Sequence, residues 1–582
     1  MRVTLLRLSA LTSAILVVTA CGNGKTSLGE GPNRDGATGR DDAGGTGTVD
    51  SSSPDGSLVG DSGGALQADV IDGATRDMAN EGAVSDVLDG GPLVDPRFRI
   101  IAPLPRPTGG VSGEVPNRQY NDFEPTDVFV PTIDLVAVSA DLSTITASCT
   151  YWVGRPSTGA TYAPRPHAFR WSEAAGTEAL DELPDAIQTV PIGMSADGTV
   201  VVGAAESVDG ATHVYRWTGP TRPVEVNPPP GKRFVSYPTQ GYSHERAARY
   251  VSADGKLFVA QAAPTSSPPN AYLDYVWFRW SEGAGWDRES SQRASILPMA
   301  AGGATLVDQS SAPSTDAGPA RWASVLWPRA EGSIELGTLA GFDSCQSMLV
   351  SADGSTAFGL CSKWDSASGT WTSAQTFRWT RESGMVPWSI GVTMASARTL
   401  ATTADGSVVA GVVYDSTVEP GAWRGFRWTA ASGAVLTTGI QGNIDTALLS
   451  EDGRVTFGSA SAEGERPQAF RLTQEGTITL PHPTGAESWA DCANRDGSVL
   501  GGWMGNESEK DAVVWDDLGP RIVSAELAVL GVDLGGLRLT KVVEVGSGSP
   551  LVLIGTGTQS IDYSGFGPTA TQRVWVARLP RR

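Results

Sequence analysis

The chain has 582 residues, with 64 acidic side chains against 43 basic ones and a net charge of −21. That balance argues against a basic face for nucleic acid or anionic membrane. Its 70 Gly, 37 Pro and 18 Trp, against only four His, suit many short strands and turns around aromatic packing. They suit long helices poorly.

The first elements are not part of a fold. Arg2 and Arg7 precede a short apolar run, Leu11 to Val18, well below the ~20 residues a membrane span needs. Val18-Thr19-Ala20-Cys21 then matches the bacterial lipobox, so residues 1–20 read as a signal peptide. The match implies cleavage before Cys21 and lipid, including palmitate, on that residue. Gly22 follows; by analogy with Gram-negative lipoproteins, the absence of Asp there points to the outer membrane facing the cell surface. The alternative is an ordinary secretory signal with an incidental Cys.

Residues 21–97 form a lipid-anchored linker. Gly22 to Asp95 holds no Phe, Tyr or Trp and carries 14 Asp and Glu against four Lys and Arg. Such a segment cannot bury enough apolar surface to offset its ordering entropy, so a disordered tether is expected. About 75 residues give a root-mean-square reach of roughly 45–50 Å. Its Asp-Gly pairs lack the alternating ligands and closing Glu of an EF-hand loop. From Phe98 aromatics appear, and 98–582 reads as the body.

The body repeats. Ser195-Ala196-Asp197-Gly198 is followed by Tyr215-Arg216-Trp217, and Ser351-Ala352-Asp353-Gly354 by Phe377-Arg378-Trp379. The Gly of the Asp-Gly pair returns at 198, 255, 354, 406, 453 and 497. A degenerate unit lies at Ala301-Gly302-Gly303 with a late Val325-Leu326-Trp327, and weakened copies sit near Asp141 and Gly546. Nine units of about 50 residues result. Within each, Asp-Gly marks a two-strand turn. Runs such as Thr199-Val200-Val201-Val202 mark strands. The Phe-Arg-Trp strand buries its aromatics on one face and puts Arg on the other. Four strands per unit predict an all-β fold, a β-propeller of roughly seven to nine four-stranded blades preceded by a disordered tether. The aromatic stripe is then core between blades.

This pattern resembles the extracellular HAF-type repeat of bacterial secreted proteins. The resemblance rests on Ser195 to Ala204, on Ala168-Phe169-Arg170-Trp171, on Glu335-Leu336-Gly337-Thr338-Leu339 and on the closing Val574 to Leu579. It covers residues 133 to 582 and implies an extracellular propeller, with no settled activity.

Four Cys remain after Cys21, and in an exported protein they can oxidise. A hairpin centred on Asp353 sets Cys345 opposite Cys361, within disulfide reach; the alternative is two buried thiols. Cys149 and Cys492 pair only if the ring brings early and late units together. No Cys or His spacing suggests a metal, and no cofactor is expected.

Strand alternation puts the Asp-Gly turn and the later Gly turn on one face, and the second connection with the inter-blade linker on the other. The second connections carry Tyr162, Tyr272, Tyr275, Trp364, Trp371, Tyr414 and Trp423. Loops carry function and Tyr and Trp favour recognition, so this is the expected binding face. The competing reading folds these aromatics back as local cores. No catalytic residue is assigned. Gly241-Tyr242-Ser243-His244-Glu245 lacks the second Gly of a nucleophile elbow, and His213 begins a third strand, where a packing or surface role is expected. The repeated Asp residues read as turn formers. The expected function is a cell-envelope lipoprotein, held to the membrane by its lipid, whose propeller binds an extracellular protein or glycan. The alternatives are a propeller glycosidase or lyase on extracellular polysaccharide, and a purely structural envelope protein.

Overall fold

The structure, a computed structural model, describes residues 95–104, 128–235 and 251–582 apart from short stretches inside these ranges, the longest being 290–304. No described helix is long and apolar enough to cross a membrane.

Among the described residues nine antiparallel sheets succeed one another, numbered here as blades 1 to 9. Blade 1 takes Val128–Val138, Thr144–Arg155, Pro166–Ser172 and Gly176–Ala179, with Ala160–Tyr162 folded back on its second strand. Blade 2 takes Ala186–Met194, Val200–Ser207, Thr212–Thr218 and Val224–Val226. Blade 3 takes Lys232–Phe234, Leu257–Pro264, Val276–Ser281 and Gly285–Glu289. Blade 4 shows three strands, Thr305–Ala312, Arg321–Pro328 and Ile334–Glu335. Blade 5 takes Ser344–Val350, Thr356–Asp365, Thr370–Thr380 and Gly384–Pro387. Blade 6 takes Met394–Thr402, Val408–Asp415, Ala422–Thr429 and Gly433–Leu436. Blade 7 takes Asn443–Leu449, Thr456–Ser461, Gln468–Thr473 and Gly476–Thr479. Blade 8 takes Glu487–Ala493, Leu500–Gly505, Lys510–Asp516 and Gly519–Ile522, and a short helix, Val523–Val529, follows it. Blade 9 takes Leu537–Val545, Leu551–Tyr563 and Gly567–Leu579, and its outermost strand is Phe98–Ile100, from the far end of the chain.

Each sheet buries apolar side chains against both neighbours. Blades 2 and 3 share a core of Val200, Val202, Phe258 and Phe278; blades 5 and 6 share one of Phe358, Trp388, Phe426 and Trp428. The succession closes on itself, because Ile554, Val574 and Val576 of blade 9 pack with Ile133, Ile145, Phe169 and Trp171 of blade 1. The first strands of blades 5 to 9 touch one another in succession, which places them toward the axis. The described residues form a nine-bladed β-propeller. The Phe and Trp of the repeat are core between blades, with Phe169, Phe377, Phe426 and Phe470 fully buried.

Closure uses a segment that carries no repeat. Phe98, Arg99 and Ile100 pair antiparallel with Ala577, Val576 and Trp575. Ile101 N–H donates to the Val574 carbonyl at 2.9 Å, and Arg578 N–H to the Arg97 carbonyl at 2.7 Å. Phe98 is buried in the core of blades 8 and 9, Ile101 in that of blades 9 and 1.

Seven turns between first and second strands share one hydrogen-bond pattern. In the copy at 195–200, Ser195 Oγ donates to Asp197 Oδ1 at 2.6 Å, and Thr199 N–H donates to the same oxygen at 3.0 Å. Val200 N–H donates to Ser195 Oγ at 2.9 Å. The set recurs around Asp141, Asp254, Asp353, Asp405, Asp452 and Asp496, with Asn494 replacing the hydroxyl residue in the last. The turn also joins blades: Ala140 N–H donates to the Ala196 carbonyl, and Ala196 N–H to the Ala253 carbonyl, each at 2.7 Å.

Glycine closes six of these turns for two reasons. Gly255 has φ +64°, and a Cβ on it would lie 2.6 Å from Val200 Cβ in the preceding blade. Gly198, Gly354, Gly406, Gly453 and Gly497 likewise abut the residue two places after the preceding turn, at Thr144, Thr305, Thr356, Val408 and Val455. Gly354 abuts Thr305, and the degenerate turn read at Ala301-Gly302-Gly303 lies outside the described residues, as does the strand that should precede it. Leu142 holds the glycine place in blade 1 at φ 60°, and its Cδ1 faces Gly546 of blade 9.

Candidate functional site

The Asp-Gly face is occupied by these joints. Hydrogen bonds hold four of its carboxyls below the usual carboxylate range: chiefly from Ser139 at Asp141, Ser195 at Asp197, Thr403 at Asp405 and Ser498 at Asp496. At Asp353 burial pushes upward, but the bonds from Ser351 and Ser355 outweigh it. The third-strand arginine completes the joint. Arg216 Nε donates to the Gly255 carbonyl at 3.2 Å, and Arg427 Nε and Nη2 to the Gly453 carbonyl at 3.0 and 2.8 Å. Arg216 also lies over Trp280, and Arg378 over Trp428, each in the next blade at 5.9 Å. Burial pulls the Arg427 guanidinium below its ordinary value against the opposing charge of Asp452. The two halves of the repeat therefore bind each other across blades.

The opposite face carries the expected binding residues. Trp364 and Trp371 stand directly opposite each other near the tip of a blade 5 hairpin. Their rings meet edge to face at 5.4 Å, and Trp371 is 38% exposed. Asp343 accepts the Trp364 N–H at 2.9 Å. In blade 6, Tyr414 and Trp423 are again opposite, edge to face at 5.4 Å. Asp415, buried, pairs with Arg424 at 3.0 Å beside them. Such pairs stabilise a hairpin by about 1 kcal/mol beyond burial. Local packing and presentation thus coexist: Trp423 leans on the core of blades 6 and 7, whereas Trp371 faces solvent. Tyr162 ends a short strand paired at Val153. Tyr272 and Tyr275, and the Gly241 to Glu245 near-match, lie outside the described residues.

One aromatic group escaped the sequence reading. Trp489 and Trp503 are cross-strand partners in blade 8, stacked at 6.0 Å and 13°, with Lys510 Nζ 4.3 Å from the Trp503 ring centre. Mirror counting about Asp496 would have found the pair, as counting about Asp353 finds the cysteines. Cys345 and Cys361 are opposite each other and joined by a disulfide, with Cα atoms 4.0 Å apart. Cys149 and Cys492 are buried in different cores, between blades 9 and 1 and between blades 8 and 9, and are not joined to each other. Among the described residues no group of three or more His, Cys, Asp or Glu is placed to hold a metal.

No family model matches the chain, and no curated protein does. Solved structures do. The β-propeller domain of the Trilobed protease from Pyrococcus furiosus matches over 61% of this chain and 98% of its own, at 8% identity and a TM-score of 0.33. An acylaminoacyl peptidase from Pyrococcus horikoshii matches over 74% of this chain and 59% of its own, at 11% identity and 0.32. TolB from Acinetobacter baumannii matches over 56% and 75%, at 11% identity and 0.27. At such scores the likeness carries no argument about activity, and the blade count rests on strand order and closure.

Proposed function

We propose that this chain is an exported, lipid-anchored envelope protein of the HAF-repeat kind, whose propeller recognises an extracellular protein or glycan through its long-loop face. The observation that carries the reading is the asymmetry of the two faces. Seven turns of one pattern consume the Asp-Gly face in joints between blades, whereas the opposite face differs from blade to blade and presents aromatic pairs in neighbouring blades 5 and 6. The lipobox at Cys21 supports the anchor, and the Cys345–Cys361 disulfide suits an oxidising compartment.

The test is retention of the full chain on a glycan array and on immobilised envelope fragments, scored for binding and for cleavage products. Saturable retention that falls at least tenfold in Trp371→Ala, with unchanged Tm, supports recognition. Cleavage of the glycan or polypeptide backbone, or retention indifferent to Trp371, Trp364 and Trp423, refutes it. Palmitate labelling lost in Cys21→Ser tests the anchor separately.

A further inference from the structure

An eighth turn has the residues of the joints but stands on the opposite face. Ser207-Val208-Asp209-Gly210 links the second and third strands of blade 2. Its aspartate behaves like the others: Ser207 Oγ donates to Asp209 Oδ1 at 2.5 Å, and Ala211 N–H to the same oxygen at 3.0 Å. The difference is at the serine. In the joints a backbone amide five residues on donates to the hydroxyl oxygen, as Val200 does to Ser195. At Ser207 an imidazole nitrogen faces the hydroxyl instead, and the Ala211 carbonyl lies 3.1 Å from it as a further acceptor. His213 Nε2 lies 3.2 Å from Ser207 Oγ, and His213 Nδ1 lies 2.8 Å from Glu225 Oε1.

A carboxylate can only accept, so Glu225 fixes the ring proton of neutral His213 on Nδ1 and turns the Nε2 lone pair toward Ser207. Three strand ends of one sheet thereby set a hydroxyl, a base and an orienting carboxylate in line on the long-loop face, with Ser207 and His213 half-buried and Glu225 exposed. Tyr215 stacks beside the imidazole, ring centres 6.1 Å apart. We propose that Ser207 and His213, positioned by Glu225, form a nucleophile–base pair for acyl transfer from an ester presented to this face.

The step balances within these groups. Ser207 Oγ bonds to the acyl carbon as its proton passes to His213 Nε2. The bond from that carbon to the leaving alkoxide breaks, and the alkoxide takes the proton. Water, giving a proton to the same nitrogen, then cleaves the acyl-serine ester; the acid leaves and Ser207 regains its hydrogen. Asp209 competes with His213 for the hydroxyl proton, which sets the resting hydroxyl toward Asp209 and makes this a slow site. The inference is independent of the aromatic tips in blades 5 and 6.

The test is phosphonylation of the full chain by a biotinylated fluorophosphonate, mapped by peptide mass spectrometry, with hydrolysis of p-nitrophenyl acetate followed alongside. Label is expected on Ser207, with loss in Ser207→Ala. The rate should fall about 100-fold in His213→Ala. Glu225→Asp should retain more of it than Glu225→Ala, and Asp209→Asn, a weaker competitor for the proton, should label faster than the parent. No label on Ser207 while a known serine hydrolase labels in the same tube overturns the proposal. So does a labelling rate indifferent to His213.

Discussion

Gly255 and Gly176 both sit at positive φ, +64° and +73°, yet they answer different needs. A Cβ on Gly176 meets nothing within 4 Å, whereas one on Gly255 lands 2.6 Å from Val200 of the preceding blade. Gly176→Ala should therefore cost only the backbone strain, about 1 kcal/mol. Gly255→Ala adds overpacking at a joint and should cost about 3 kcal/mol or more. Thermal unfolding of the two variants separates conformation from contact, and equal losses would remove the joint reading of the turn. The turn itself was legible, because Asp-Gly between apolar runs is a strong hairpin signal. Its second role was not, since the neighbour it touches lies about 50 residues away. The cysteine pair was legible for a subtler reason. The ladder nearest the turn pairs Val350 with Ala357, which alone would set Cys345 against Ser362; a bulge between Ser347 and Leu349 restores Cys361 as its partner.

Bulges of this kind recur in the first strands of seven blades, as between Pro191 and Gly193 and between Ala490 and Cys492. They bend the strand nearest the axis, and nothing in the residue pattern announces them. The turn that follows has a titratable consequence. Five of its carboxyls, Asp141, Asp197, Asp353, Asp405 and Asp496, are held below the ordinary value of 3.8 in the folded state. The unfolded chain then binds protons first as pH falls, so the stabilisation is complete above 3.8 and is lost as pH drops through the lower folded values. Tm should be flat from neutral pH to about 5 and should fall below about 4. Asp405→Asn should lower Tm at pH 7 and flatten the acid limb. An acid limb as steep in that variant as in the parent would assign the loss to other carboxylates. The long-loop face was only half legible. Alternation along the strands sorted its loops correctly, but whether Trp364 meets Trp371 depends on hairpin register, which single residues do not encode.

At the scale of the molecule the ring is held shut by three residues, Phe98 to Ile100, that carry neither half of the repeat. Neither composition nor the repeat announces that Phe98–Ile100 completes the last blade. A ring of consecutive sheets has one seam, and here the seam is closed by strand exchange between the two ends of the body rather than by a blade drawn from one segment. Chain entry is fixed by the same strand: Arg97 lies level with Arg578, beside the Asp-Gly turns, where Arg581 reaches Ser547 and Ser498. Two truncations test the seam. A chain starting at Asp95 keeps Phe98, Ile101 and Leu104 and should unfold at the Tm of the full protein. One starting at residue 105 exposes the edge of the Gly567–Leu579 strand and empties two cores of these side chains, a loss of about 5 kcal/mol or more from Phe98 and Ile101 alone. Its Tm should drop by many degrees, and its main-chain amides at Trp575 and Ala577 should lose hydrogen-exchange protection before those of blade 5 do. Equal Tm for the two fragments would mean that blades 9 and 1 hold the ring through their shared core, with the added strand as ornament.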